Sequence, residues 1–338
     1  MKQILPVFIV LFAASAKVSA YDFEYNGIYF NVLSVKDKTV EVTWSQDKYT
    51  GDVTVEDKAV FEGTTYTVTG VGKGAFHNCP GLISVKLPQT VSKIGESAFS
   101  VSHDLQSVEL PPSVTEIGQF AFHYSDNLKS AVVPDCLTKL LPCTFAFCTN
   151  LENVTLPPGI TSIGLECFQE CESLIDIALP DSLRLIGEYA FEWCKKLKAV
   201  IVPEQVYLIE RMAFIGCESL ETLEIKSNTS IGEEAFKNCN ALTTIRSYTK
   251  TPLDFPDNAI PGIVKLHATL YVPAGAKAAY EASSSWGQFQ NIVEMESSGI
   301  RATRSDKTDG KAYRLNGTPA TESDKGIIIH DGKKTVQK

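Results

Sequence analysis

One pattern of 23 residues recurs along most of the chain and limits the folds open to it. Phenylalanine marks one position in eight copies, separated by six steps of 23 residues and a last step of 22. These residues are Phe76, Phe99, Phe122, Phe145, Phe168, Phe191, Phe214 and Phe236. A second position holds leucine, at Leu82, Leu105, Leu128, Leu151, Leu174, Leu197, Leu220 and Leu242. A unit this short cannot bury its apolar side alone, so the copies are expected to stack into a solenoid with one continuous core.

Each copy carries two local signals. The segment "LISVKLP", residues 82–88, alternates apolar and polar residues and ends at Pro88. It predicts a short strand that stops at the proline, because proline cannot donate to a β-ladder. The segment "IGESAF", residues 94–99, predicts a turn at Gly95 followed by a short helical turn that buries Phe99. Stacked copies would then place their strands in one parallel sheet on one face of the solenoid.

The full pattern resembles a known family. Written as "IGxxAFxxCxxLxxVxLPxSVTxIG", it is similar to the BspA-like leucine-rich repeat over about residues 71–246. The resemblance implies an α/β leucine-rich-repeat solenoid of about eight repeats. It also implies a secreted or cell-surface binding protein, since some members of this family in Bacteroidetes-type bacteria are adhesins for host matrix proteins.

The flanking segments divide the rest of the chain. Residues 21–70 lack the repeat but alternate as short strands do, so they predict a β-rich N-terminal cap before a solenoid of residues 71–269. Residues 270–296 predict a C-terminal cap of strands and a short helix, and both caps would cover open ends of the core. Residues 297–338 predict a polar linker and a short C-terminal module, whose "YRLNG" and "KGIIIHDGKK" resemble modules that direct secretion in related bacteria.

Residues 1–20 have the features of a signal peptide. Lys2 precedes an apolar run over residues 4–14, and small residues lead up to Ala20. The alternative is a membrane anchor, but this run is short of the roughly 20 residues that span a bilayer. Removal of Lys2 and Lys17 with this segment would change the net charge from −9 to −11. Such an acidic chain argues against nucleic acid or anionic lipid as the main partner.

Six of the nine cysteines share one repeat position with two serines. The column reads Cys79, Ser102, Ser125, Cys148, Cys171, Cys194, Cys217 and Cys239. Side chains in one column point the same way, which suits packed, reduced thiols better than disulfides between neighbouring repeats. The spacing in "CFQEC" is compatible with a metal site, but Cys167 occupies a core position, so no metal is expected there.

The sequence contains no pattern typical of an active site. Nucleophile-elbow, zinc-protease, Walker and dinucleotide-binding motifs are missing from it. His77 and His123 share a column two repeats apart and are expected to be exposed. The chain is therefore interpreted as a protein without enzymatic activity and without a cofactor.

A binding surface is expected where strand residues point away from the core. One outward series reads Lys86, Glu109, Val132, Thr155, Ala178, Ile201, Glu224 and Arg246. The other reads Ser84, Ser107, Ser130, Asn153, Asp176, Ala199, Thr222 and Thr244. The candidate contact residues are the middle members of both, namely Val132, Thr155, Ala178, Ile201, Ser130, Asn153, Asp176 and Ala199. The alternative is that β-branched residues simply suit strands.

Three functions remain compatible with these features. The first is an exported, monomeric protein-binding or adhesion module, secreted or at the cell surface. Its partner would be host extracellular matrix or another surface protein. The second is a glycan-binding accessory protein, which the lack of aromatic residues in the outward series of the repeats disfavours. The third is a structural spacer of the cell envelope.

Overall fold

The computed structural model describes residues 21–296 and, beyond them, the strands at residues 312–314, 326–330 and 333–337. The expected signal peptide, residues 1–20, lies outside the described residues. Each repeat forms one rung with three sides. We name them the strand face, the short-strand face and the turn face.

Six strands precede the first repeat. They are β1 (Phe23–Tyr25), β2 (Ile28–Ser34), β3 (Thr39–Val42), β4 (Gly51–Thr54), β5 (Lys58–Phe61) and β6 (Thr64–Val71). Strands β1, β2 and β3 are antiparallel, β5 is antiparallel to β6, and β3 pairs with β6 in parallel. The Tyr49 ring lies 4.7 Å from the Phe76 ring, so an aromatic residue of this segment covers the first rung of the phenylalanine column.

The strand face contains the longer strands of the rungs. They are β7 (Leu82–Lys86), β9 (Ser107–Glu109), β11 (Ser130–Val132), β13 (Asn153–Thr155), β16 (Ala199–Val202), β18 (Thr222–Ile225), β20 (Thr244–Ser247), β21 (Thr269–Val272) and β22 (Asn291–Glu294). All of their pairings are parallel and in register, as the repeat predicts. They form three separate groups, β4–β7–β9, β11–β13 and β16–β18–β20–β21–β22.

The short-strand face consists of strands of two residues. They are β8 (Lys93–Ile94), β10 (Glu116–Ile117), β12 (Lys139–Leu140), β14 (Ser162–Ile163), β15 (Leu185–Ile186), β17 (Leu208–Ile209) and β19 (Ser230–Ile231). The second residue of each strand is buried. In most rungs a glycine follows it because the preceding rung is very close: a Cβ atom on Gly118 would lie 2.5 Å from the backbone nitrogen of Glu96.

The turn face differs from the helical turn that the sequence predicts. Its residues form successive four-residue β-turns, as at residues 95–98 and 97–100, and the rungs at residues 71–246 contain no α-helix. The residues two positions before and two positions after each column phenylalanine are left-handed, for example Ser97 (φ 55°) and Val101 (φ 61°) around Phe99. The N–H groups of these two residues and of the phenylalanine donate to carbonyls of the following rung, at 2.7–3.3 Å. A hydrogen-bonded ladder therefore takes the place of the predicted helical turn.

The core is built from columns of like residues. The eight column phenylalanines are fully or almost fully buried, and neighbouring rings stack with centroids 5.0–5.5 Å apart. The cysteine column is buried beside them, and all nine cysteines are free. Cys171 Sγ donates to the carbonyl of Phe145 in the preceding rung at 3.2 Å, and Ser102 Oγ makes the same contact with Phe76 at 2.6 Å. Serine and cysteine are thus equivalent members of this column.

The segment after the repeats closes the last rung. It contains helix α1 (Gly262–His267), β21, helix α2 (Lys277–Glu281), a 3₁₀ turn at Trp286–Gln288 and β22. Lys265 is buried, and its Nζ donates to the carbonyl and carboxylate of Asp257 and to Gln288 Oε1 at 2.8–2.9 Å. No helix among the described residues is long and apolar enough to span a bilayer.

Residues 296–338 form a unit of their own. Its strands are β23 (Ala312–Arg314), β24 (Gly326–His330) and β25 (Lys333–Gln337). They make an antiparallel sheet in the order β23–β24–β25.

Candidate binding surface on the strand face

The register of the parallel strands aligns some of the eight predicted contact residues directly, and Ala199 and Ile201 belong to the separate group that begins at β16. Ser130 pairs with Asn153 and Val132 with Thr155, while Asn153 also bridges to Asp176. Ala199 is half-buried, and the other seven residues are exposed. The residue between the two outward positions in each strand points inward, as Val154 does. The predicted orientation of these side chains is therefore what the structure has.

In the column of Val132, Thr155, Ala178 and Ile201 the middle of the strand face is uncharged, and the ends of that column are charged. Val132 is 68% exposed and Ile201 is 46% exposed, both large values for aliphatic side chains. At one end Lys86 pairs with Glu109 at 3.5 Å. At the other end Arg246 pairs with Glu224 at 3.3 Å. The charges at both ends are thus neutralised within the face, and the uncharged centre lies between two ion pairs.

The strand face is interrupted at the rung of Asp176, which the repeat pattern does not predict. Within residues 21–296, this rung contributes one bridge to Asn153 and no ladder to the next strand, β16. A groove of about 270 Å³ lies there, lined by Asp176, Ile177, Ala178, Leu179, Asp181, Ala199, Ile201, Pro203 and Lys226. Four of the eight predicted contact residues therefore line a concave part of the surface.

The outward columns continue into the C-terminal cap, where they gain aromatic residues. Arg246 is in register with Tyr271, and Tyr271 with Val293. The Arg246 guanidinium lies 5.2 Å from the Tyr271 ring, and Tyr248, 44% exposed, donates to Glu224 at 3.0 Å. The sequence-based statement that the outward series lack aromatics concerns the eight repeats and holds for them, and Tyr271 adds an aromatic residue beyond them. The sequence could have indicated this continuation of the strand face, because "TLYVP" repeats the strand-and-proline pattern of the rungs.

The thiols are not placed for chemistry. Cys167 and Cys171 of "CFQEC" are both fully buried in the core, and burial raises the pKa of each thiol. Burial, and then the Glu166 carboxylate, raise the pKa of Cys143 to about 12. Cys136 is the exposed member of the nine. Among the described residues, no group of His, Cys, Asp and Glu has the geometry to hold a metal ion.

The two histidines of the shared column are half-buried, contrary to the expectation that they are exposed. Burial lowers the pKa of both His77 and His123. His123 packs edge-on against the rings of Phe120, Tyr124 and Phe147, at centroid distances of 4.5–5.5 Å. This aromatic cluster on the turn face was not predicted from the sequence.

Several solved structures of other proteins are similar to this chain. A leucine-rich repeat protein from Bacteroides ovatus is 23% identical, with 77% of this chain and 81% of that chain covered and a TM-score of 0.43. A leucine rich cell surface protein from Faecalibacterium prausnitzii is 21% identical, with 82% and 95% covered and a TM-score of 0.45. The pneumococcal vaccine antigen PcpA is 18% identical, with 82% and 99% covered and a TM-score of 0.43.

The family assignment comes from the repeat profile itself. No curated protein matches the chain. The profile of the BspA type leucine rich repeat region matches six copies, over residues 69–183 and 161–253. These residues make up more than half of the 338-residue chain, which therefore belongs to the BspA-type leucine-rich repeat family.

Proposed function

We propose that this chain is an exported, non-enzymatic protein-binding or adhesion module that contacts its partner through the middle of the strand face. The observation that carries the proposal is the uncharged, exposed centre of one outward column, where Val132 and Ile201 are 68% and 46% exposed. Isolated exposed aliphatic residues are ordinary, but here they lie on parallel strands on either side of the rung of Asp176, where Ile201 lines a groove of about 270 Å³.

The energetics of such a contact follow from the arrangement of the face. Covering a large aliphatic side chain contributes about 1.5–3 kcal/mol when its burial is complete. Asn153 and Asp176 beside the uncharged centre offer hydrogen-bonding groups, and the ion pairs at Glu109 and Glu224 would lie at a polar rim. A protein partner with an apolar patch and a polar border fits this surface.

The signal sequence supports export. Residues 1–20 have the pattern of a secretory signal, and the family resemblance agrees with a location at the cell surface. Extracellular matrix of a host, or another protein of the same surface, is therefore the class of partner to test first.

Glycan binding is the second candidate, because one observation favours it. Tyr248 and Tyr271 lie at the C-terminal end of the strand face, beside Glu224 and Arg246. Aromatic faces together with charged hydrogen-bonding groups can hold a sugar ring. A structural spacer, the third alternative, would bind neither protein nor glycan.

The test is a pull-down from host extracellular matrix, set beside a glycan array. Any protein recovered is then measured against Ile201→Glu and Val132→Lys, which would each place an unpaired charge in the contact. Each change should weaken binding by about 2–4 kcal/mol and should change the free energy of unfolding by less than about 0.5 kcal/mol.

Matched controls are available at exposed aliphatic residues away from the strand-face centre. Leu253→Glu (50% exposed) matches Ile201→Glu, and Val35→Lys (73% exposed) matches Val132→Lys. Controls that bind like wild type, with weakened strand-face variants, would support the proposal. If both strand-face variants bind like wild type, the strand face is not the contact surface.

A further inference from the structure

The turn face presents side chains that the core does not use. Apart from Cys143 and Gly216, which are buried, the left-handed residues of each rung are at least partly exposed, and they form two columns of their own. On three successive rungs these columns hold Phe120 and Tyr124, then Cys143 and Phe147, then Glu166 and Glu170. Bulky residues rarely adopt this backbone conformation, which Gly216 and Asn238 adopt in the last rungs.

The aromatic members of these columns pack against one another across rungs. The rings of Tyr124 and Phe147 stack with centroids 4.4 Å apart and an interplanar angle of 12°. Tyr124 is 38% exposed, and Phe120 and Phe147 are half-buried, so solvent reaches the cluster. Adjacent members of one column are therefore in direct contact, and one side of the cluster is open.

Two carboxylates follow on the next rung. The N–H of Phe147 donates to Gln169 at 2.7 Å, which fixes Glu170 as the next member of the Tyr124–Phe147 column. Glu166 accepts from Cys143 Sγ at 3.3 Å. Within residues 21–296, neither glutamate forms an ion pair. The cluster thus ends in two carboxylates without a basic group at ion-pair distance, although Lys195 lies near enough to Glu170, and His123 to Glu166, for their charges to interact.

At other places in the chain an arginine or lysine side chain contacts both an aromatic ring and a carboxylate. Arg211 lies 5.3 Å from the Tyr189 ring and pairs with Glu188. Lys195 lies 6.0 Å from the Trp193 ring and pairs with Glu172 at 2.7 Å.

Arg246 repeats the arrangement on the strand face, between Tyr271 and Glu224. Three aromatic–carboxylate sites therefore hold an arginine or lysine of the chain, and the site at Tyr124, Phe147, Glu166 and Glu170 does not.

We propose that Tyr124, Phe147, Glu166 and Glu170 form a second interaction surface, which binds an arginine side chain from a basic segment of a partner protein. A guanidinium can stack on an aromatic ring while it donates two hydrogen bonds to a carboxylate, a combination that a lysine ammonium matches less well. The cation–π contact contributes about 0.5–1 kcal/mol at an exposed site. This surface lies on a different side of the rungs from the strand face and does not depend on it.

The experiment is a titration of the full chain, in about 0.15 M salt, against a fluorescent peptide that alternates arginine and serine. A peptide with lysine in place of arginine is the chemical comparison. Saturable binding is expected, with the lysine peptide bound several-fold more weakly. Glu166→Gln combined with Glu170→Gln should weaken the arginine peptide about tenfold or more.

Two further variants distinguish a defined binding site from nonspecific electrostatic attraction of the peptide to an acidic protein. Glu152→Gln combined with Glu221→Gln removes the same charge from two exposed carboxylates that form no ion pair, and should change binding less than about twofold. Tyr124→Leu keeps an apolar side chain and removes the ring, so arginine binding should fall. The same change at Tyr207, which is 59% exposed and lies outside both surfaces, should leave binding unchanged. Equal losses in both glutamine pairs, or no saturable binding to wild type at millimolar peptide, would overturn the proposal.

Discussion

Phe168→Ala is the sharpest test of the stacked core. Phe168 is completely buried and lies between two other rings, at 5.5 Å from Phe145 and 5.2 Å from Phe191. The substitution removes a benzyl group from the middle of the column and leaves a cavity that neighbouring rungs cannot close without breaking their own ladders.

The magnitude follows from these contacts. A buried phenylalanine replaced by alanine costs about 3–5 kcal/mol in transfer and cavity terms. Each aromatic pair contributes about 0.5–1.5 kcal/mol beyond its area, and Phe168 loses two such pairs. A loss in the upper part of that range, about 4–5 kcal/mol, is expected.

Phe236→Ala is the matched control within the same column. Phe236 is equally buried but stacks on one column ring, that of Phe214 at 5.2 Å. It should therefore lose less stability than Phe168→Ala, by about the value of one aromatic pair, 0.5–1.5 kcal/mol.

The assay is equilibrium unfolding in urea, followed by circular dichroism and by tryptophan fluorescence. The three tryptophans, Trp44, Trp193 and Trp286, lie before, within and after the repeats, so coincident transitions would show that the solenoid unfolds as one unit. A loss below about 1 kcal/mol for Phe168→Ala would refute the claim that the column stabilises the fold.

The remaining predictions concern thiols, the tail and pH. Native alkylation should modify Cys136 first, since the other eight cysteines are buried, and alkylation in denaturant without reductant should find all nine thiols free. A chain ending at Glu296 should remain folded and monomeric, and protease should cut within residues 297–311; a markedly lower melting temperature of that truncation would contradict the predicted boundary. Burial lowers the pKa of His77 and His123, so the unfolded chain binds more protons below about pH 6.5 and stability should fall there. His123→Gln should reduce that fall in pH-dependent melts.

The residue columns could be predicted because stacking forces like positions together. Phe99 and Phe122 are equivalent in the sequence, and in the structure their rings are 5.1 Å apart. The outward orientation of Val132 and Ile201 followed from the same period. Where successive rungs have the same conformation, one copy of the sequence pattern predicts all of them.

The turn face could not be predicted in this way. Local preference favours a helical turn around Phe168, but its neighbours Glu166 and Glu170 have φ values of 54° and 53°. Hydrogen bonds to the following rung stabilise that conformation, and no property of an isolated segment indicates it. The interruption of the strand face at Asp176 could not be predicted either, because residues 174–180 keep the apolar spacing of the other rungs.

The ladder on the turn face gives the stack a direction. Each rung donates N–H groups toward the C-terminal end, so the first rung is left with acceptors and the last with donors. The two ends are closed by opposite chemistry: Lys48 Nζ donates to the carbonyl of His77 at 3.0 Å, and the carbonyl of Ala259 accepts from Phe236 at 2.9 Å. Neither cap could replace the other. Two uncapped copies could join through these ladders in head-to-tail order alone, a type of contact that gives a ring if its rotation closes and a filament if it does not. The caps therefore cover the two ends at which such a contact would form.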